Sequence, residues 1–161
     1  MFEYDYSEIG RIIDKNEANC RQMVRRAKEH LAEGKSRFQA APELQERLLQ
    51  QFIETCRKGD TSGLLSLLSE DTVLYSDGGG KVPAAPKPVA GAAKVARFLV
   101  GVSKLARPDE EIRFAMINSA PGILRYHEGR LFQTTAFEIV DGRITAIYIV
   151  RNPDKLRHVA V

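Results

Sequence analysis

The closing stretch of the chain does most to restrict what it can fold into. Four segments, "EEIRFAMIN" (110–118), "GILRYHE" (122–128), "RLFQTTAFEIV" (130–140) and "RITAIYIVR" (143–151), are separated by "SAPG", "EG" and "DG". β-Branched and aromatic residues suit a pleated, half-buried surface. The last two turns are short enough for tight hairpins, which force their strands to be antiparallel neighbours. The expectation is an antiparallel meander. Within it, Ile144, Ala146, Tyr148 and Val150 alternate against Ile147 and Ile149. Likewise Leu131, Phe137 and Ile139 alternate against Phe132, Ala136 and Val140. Both faces are therefore apolar and both need cover. A second copy of the chain, a partner domain, residues 1–40 or the C-terminal tail could each supply it.

Helices precede the meander. Leu44, Leu48, Leu49, Phe52, Ile53 and Cys56 make a broad apolar stripe that Gly59 ends. "DTSGLLSLLS" starts a second short helix capped by Asp60 or Thr61. "DTVLYS" (71–76) reads as a strand, "DGGGKVPAAPKPVAG" as a Gly- and Pro-rich loop, and 92–104 as a helix with Val95, Phe98, Leu99 and Val102 on one side. Helix, helix, strand, helix and then a meander is an α+β cone, with the helices filling the concave face of a bent sheet.

The opening segment has a different character. Ile9, Ile12 and Ile13 follow Ser7 at helical spacing; "DKN" is a tight turn, with Asn16 as the next cap. The second helix buries Cys20, Val24, Ala27 and Leu31 and stops at Gly34. From Lys15 to Lys28 there are five basic residues and one acidic one. Two short helices with a basic outer face on the second describe a helix-turn-helix. An ordinary amphipathic hairpin with a solvated charged face has the same pattern. Residues 1–34 thus form one unit, 35–43 a linker and 44–161 the cone.

The totals set outer limits. An apolar share of 43% supports a packed core, and a net charge of +3 gives no general bias toward nucleic acid. Cys20 and Cys56 lie in separate units without metal spacing, so reduced thiols and a cytoplasmic location are expected. No apolar run approaches the roughly 18 residues of a membrane span. The acidic N-terminus is no secretory signal. No metal or cofactor is expected.

The residues "FEYDYSEIGRIIDKNEANCRQMVRRAK" resemble the end of region 4 of bacterial extracytoplasmic-function sigma factors. The resemblance covers about the first 31 residues. It implies that Glu17, Asn19, Arg21, Gln22 and Arg25 face the −35 promoter element, with Arg26 near the backbone. Asp14 stands where the family usually has glycine. Region 2 and the first helices of region 4 have no counterpart here. The chain thus reads as a fragment, or as the product of a start inside a longer frame, and not as a complete sigma factor. The expected partners are promoter DNA, the RNA polymerase core and the missing sigma regions.

The remaining elements resemble the SnoaL-like, ketosteroid-isomerase-like fold, also called nuclear transport factor 2-like. "LYSDGGGK" (74–81) and "NPDKL" (152–156) resemble motifs of the sigma-factor group that carries such a domain as a C-terminal extension. By that resemblance the glycine loop and the tail contact the sigma regions and regulate them. Tyr75, Asp77, Gly78, Gly79, Gly80, Lys81, Tyr126, Asn152, Pro153, Asp154 and Lys155 are the candidate contact or pocket residues.

The rival reading is a small-ligand binder or isomerase-type enzyme. It would need a carboxylate base in an apolar pocket opposite a donor pair. Asp77 could be that base, with Tyr75 or Tyr126 as donor; Asp77 could equally cap the glycine loop. Arg125, His127 and Gln133 are further polar candidates. "DGGGK" lacks the spacing of a phosphate-cradling loop. His30 and His158 read as surface residues. No complete catalytic set is visible, so no catalytic residue is assigned.

Overall fold

The structure, a computed structural model, describes residues 42–105 and 109–159. The helix-turn-helix expected over 1–34 and the linker over 35–43 lie outside these residues, save for the linker's last two positions. The described elements are α1 (Pro42–Lys58), α2 (Thr61–Leu67), β1 (Leu68–Asp77), β2 (Val89–Ala90), α3 (Ala92–Ser103), β3 (Glu111–Ile117), β4 (Ala120–His127), β5 (Arg130–Val140), β6 (Arg143–Val150) and α4 (Pro153–Leu156).

The apolar stripe of α1 becomes one wall of the core. Leu49, Phe52, Ile53 and Cys56 are buried, whereas Leu44 is exposed. At Gly59 the chain takes φ 68, and the amides of Gly59 and Asp60 bond back to Cys56 O and Thr55 O. A residue with a Cβ resists that conformation, which is why the helix stops there. Asp60 then caps α2, its carboxylate accepting from Gly63 N at 2.8 Å.

The six strands form one curved sheet in the order β2-β1-β6-β5-β4-β3. The expected meander is β3 to β6, all antiparallel. β1 joins it parallel to β6, a pairing that no local turn encodes. Strand β1 is also longer than expected and begins at Leu68, inside the stretch read as helix. Buried Thr72 holds its irregular start, donating to Ser69 O and Ile144 O at 2.6 Å each.

All three hairpins turn on two residues with positive φ: Asn118-Ser119, Glu128-Gly129 and Asp141-Gly142. The first corrects the expected "SAPG" turn, because Pro121 and Gly122 belong to β4. Two register shifts correct the expected faces as well. The shift between Glu138 and Ile139 pairs Glu138 with Ala146 and Ile139 with Ile144, so Thr145 is the extra residue. Ile144 therefore joins Ile147 and Ile149 in the core cluster instead of following Ala146 and Tyr148. The shift at Arg125/Tyr126 makes Phe132 the extra residue, and it turns to the same side as Gln133 and Thr135. One added residue reverses every later side chain on a strand, and no alternation rule anticipates it.

The core lies between the concave face and α1, α2 and α3. Phe137, fully buried, meets Phe52 edge-on with ring centroids 5.0 Å apart. Edge-to-face packing of this kind adds roughly 0.5–1.5 kcal/mol beyond the burial itself.

Candidate functional site

The glycine loop and the C-terminal tail, 75 residues apart in sequence at Asp77 and Asn152, meet at the end of β1. Asp77 is the hub. Its carbonyl accepts from the amides of Arg151 and Asn152, at 2.8 and 3.1 Å. Its carboxylate accepts from Gly79 N at 2.7 Å and pairs with Lys155 Nζ at 2.8 Å. A second ion pair runs the opposite way, from Lys81 on the loop to Asp154 on the tail, and Arg157 also reaches Asp154.

The short helix α4 is set up locally. Asn152 caps it by accepting from Asp154 N, and Pro153 takes its first position, where an amide is not needed. Gly79 has φ 61, and a Cβ there would come within 2.4 Å of the Asn152 side chain. Only glycine lets loop and tail close to this distance. Lys155 and the Gly79 amide hold the Asp77 carboxyl below its usual range, and Lys81 does the same for Asp154. Both are anions at neutral pH.

Tyr75 and Tyr148 lie on the other side of the sheet from the core, stacked at 5.3 Å and 42% and 38% exposed. The Tyr148 hydroxyl donates to Glu138, and this bond to a carboxylate pushes its pKa up to about 12. Tyr126 is buried beneath the Arg113 guanidinium, 4.5 Å above its ring. The structure thus brings together Asp77, Gly79, Lys81, Asn152, Asp154 and Lys155, and leaves Tyr75 and Tyr126 apart from them.

A cavity of about 710 Å³ opens on the concave side. Phe52, Val89, Phe98, Leu99, Val102 and Ile149 give it apolar walls. None of the eleven residues expected at a contact or pocket lines it. Asp77 cannot be a base inside it, because loop and tail hold its carboxylate outside, and its pKa moves down instead of up.

Of the further polar candidates, Arg125 and Gln133 do line the cavity, and His127 does not. His127 Nδ1 lies 3.6 Å from Asp109 instead. Three charged lining residues lie outside the expected set, Lys87, Glu110 and Arg151. Glu110, 4% exposed, pairs with Arg125 at 3.0 Å. Cys56 faces the same space, and burial pushes its thiol up to about 12. In the sequence Glu110 and Arg151 stand only as the first and last residues of the expected strands 110–118 and 143–151. Charges flanking apolar runs carry no sign of which way they face. The residues expected to read DNA, Glu17 to Arg26, lie outside the described residues.

Comparison with known proteins gives these geometries a context. No protein-family model matches the chain. The chain is homologous to the extracytoplasmic-function (ECF) RNA polymerase sigma factor SigJ of Mycobacterium tuberculosis H37Rv, at 26% identity over 165 residues. That alignment covers 96% of this chain and 53% of the relative. It is also similar to the probable ECF RNA polymerase sigma factor SigI of M. tuberculosis, at 24% identity, covering 97% of this chain and 51% of SigI. The chain spans about half the length of the curated relatives it matches. The crystal structure of SigJ superposes with a TM-score of 0.64 at 25% identity, over 94% of this chain and 54% of that one. A SnoaL-like protein of unknown function from Burkholderia thailandensis superposes with a TM-score of 0.50 at 15% identity, over 68% of this chain and 94% of that one. It supports the fold alone: the described residues form the SnoaL-like, nuclear transport factor 2-like cone.

Proposed function

We propose that this chain carries the promoter-reading and regulatory portions of an ECF RNA polymerase sigma factor. One observation carries the reading. The alignment with SigJ runs over 96% of the chain, so it takes in the basic N-terminal segment and the cone together. A free-standing ligand-binding cone would have no reason to share the first segment. In this reading Arg21, Gln22 and Arg25 contact base edges of a −35 element, assisted by Glu17 and Asn19, while Arg26 neutralises a phosphate. RNA polymerase core and promoter DNA are the partners.

The cone regulates initiation through protein contacts made at the joined loop and tail. That surface suits the role for a physical reason. Its ion pairs are exposed, so a partner's charges can exchange with them at little cost. Its backbone hydrogen bonds keep it in one shape meanwhile.

The test uses this chain joined to the remaining sigma regions. Promoter affinity is measured by fluorescence anisotropy at several salt concentrations. Arg21→Ala and Arg25→Ala should each cost about 1–3 kcal/mol on the specific promoter. Arg26→Ala should weaken all sequences alike and flatten the salt dependence. Unchanged promoter affinity in the first two variants would remove the recognition helix from the proposal. To test the regulatory contact, Lys81→Glu should change transcription in vitro without changing promoter affinity.

A further inference from the structure

The cavity holds a row of polar groups that the transcriptional reading leaves unused. Arg125 on β4 faces Gln133 on β5 in register. Thr134 pairs with Val150, so Arg151 follows at the next position beside Gln133. Arg125, Gln133 and Arg151 therefore form one row across three strands, and all three line the cavity. Two strand spacings put the two arginine stems roughly 10 Å apart.

The charges in this row do not balance. Glu110 answers Arg125. Arg151 has no carboxylate within ion-pair distance among the described residues; one guanidinium nitrogen donates to Pro83 O at 3.0 Å. The Nε atoms of Arg125 and Arg151 are both buried without a hydrogen-bond partner. Gln133 donates to Thr135 at 3.2 Å and keeps a second N–H. Lys87, at the opening, adds a further positive charge. A buried guanidinium donor left unpaired is costly, and a carboxylate is the group that matches its planar fork.

We propose that the cone binds an apolar small molecule bearing one carboxylate. The carboxylate lies along the Arg125–Gln133–Arg151 row, and the apolar body lies against Phe98, Leu99 and Val102. The volume suits such a molecule, since pockets for small organic ligands run from about 300 to 1,000 Å³. Glu110 has a defined part. It cancels Arg125, which leaves Arg151 as the one uncompensated charge within the row, while Lys87 is exposed to solvent, so the row itself takes a single negative charge in preference to a phosphate dianion. The inference stands apart from the transcriptional reading, because it needs only the cone.

Decanoate and decanol, matched in chain length, are the probes, titrated calorimetrically into the full chain. The Ile149 methyl resonance reports whether they enter the cavity. Decanoate should bind at least tenfold tighter than decanol and shift that resonance. Arg151→Gln should remove most of the difference while leaving decanol binding unchanged, and Arg151→Lys should restore part of it. Equal binding of the two probes, or no binding of either, overturns the proposal. So does a tenfold preference that survives in Arg151→Gln, or a decanoate preference with no shift at Ile149. Displacement of decanoate by an equal concentration of inorganic phosphate would also overturn it, by showing an anion site with no need of an apolar body. If Arg151→Gln fails to fold, the wild-type ratio, the Ile149 shift and Arg151→Lys still decide the matter.

Discussion

The inside of the cone and its loop-and-tail corner both use ion pairs, and they use them to opposite ends. Arg125–Glu110 is drawn into an apolar cavity, with the acid 4% and the base 21% exposed. Lys155–Asp77 is more open, at 67% and 36%. Taking charges out of water is costly, so the inner pair matters chiefly because neither partner can be lost alone. The outer pairs give little stability each, but they hold no buried charge hostage and can be exchanged. One region is built for a fixed shape around a void. The other is built to be held shut by contacts that a partner can replace.

That contrast can be broken from the inside first. Phe137→Ala should lower the unfolding free energy by about 4 kcal/mol, measured by urea denaturation, since the ring is fully buried against Phe52. Glu110→Ala should cost about 3 kcal/mol by leaving Arg125 unpaired, and the double variant Glu110→Leu with Arg125→Met should recover most of it. A double variant no better than the single one would mean that the pair is more than self-compensating.

Next is the corner. Gly79→Ala should cost about 1–2 kcal/mol, because its backbone is left-handed and its new Cβ meets Asn152. The outer ion pairs should show as a pH and salt effect. Asp77 and Asp154 have folded pKa values below the ordinary one, so the unfolded chain takes up protons first. Their contribution is present above the unfolded value of about 3.9 and is lost as pH falls through the lower folded values. Lys81→Ala should make acid unfolding less steep, and the difference should shrink at 1 M salt. The smallest effect is a rate. In a Cys20→Ser background, Cys56 should react with a thiol reagent far more slowly in the folded cone than in the unfolded chain, because burial raises its pKa to about 12 even though it lines the cavity.

Much of the fold could be read directly. The α1 stripe, the Gly59 stop and the Glu-Gly and Asp-Gly hairpins are local devices, settled by residues within a few positions of one another. The corner was legible in part. "LYSDGGGK" and "NPDKL" stood out as motifs, but their meeting rests on β1 lying beside β6, and strands joined through long crossovers leave no local trace. The cavity was the least legible. Arg125 and Gln133 were candidates on polarity alone, and Lys87, Glu110 and Arg151 were missed, because position in a loop or strand does not tell a solvated charge from one turned toward a cavity. The register shifts that set those directions, at Phe132 and Thr145, depend on how two strands fit each other.

By itself, then, the sequence determined the kinds and order of the elements apart from β2 and α4, most of the turns and the helical half of the core, all of which follow from short-range sterics and periodicity. The tertiary structure alone decided that β1 runs parallel to β6, which face Ile144 and Phe132 join, and that Arg125, Gln133 and Arg151 share one row inside a void. Those facts come from pairing between distant strands, where one extra residue reverses a face and only the assembled sheet determines where it falls.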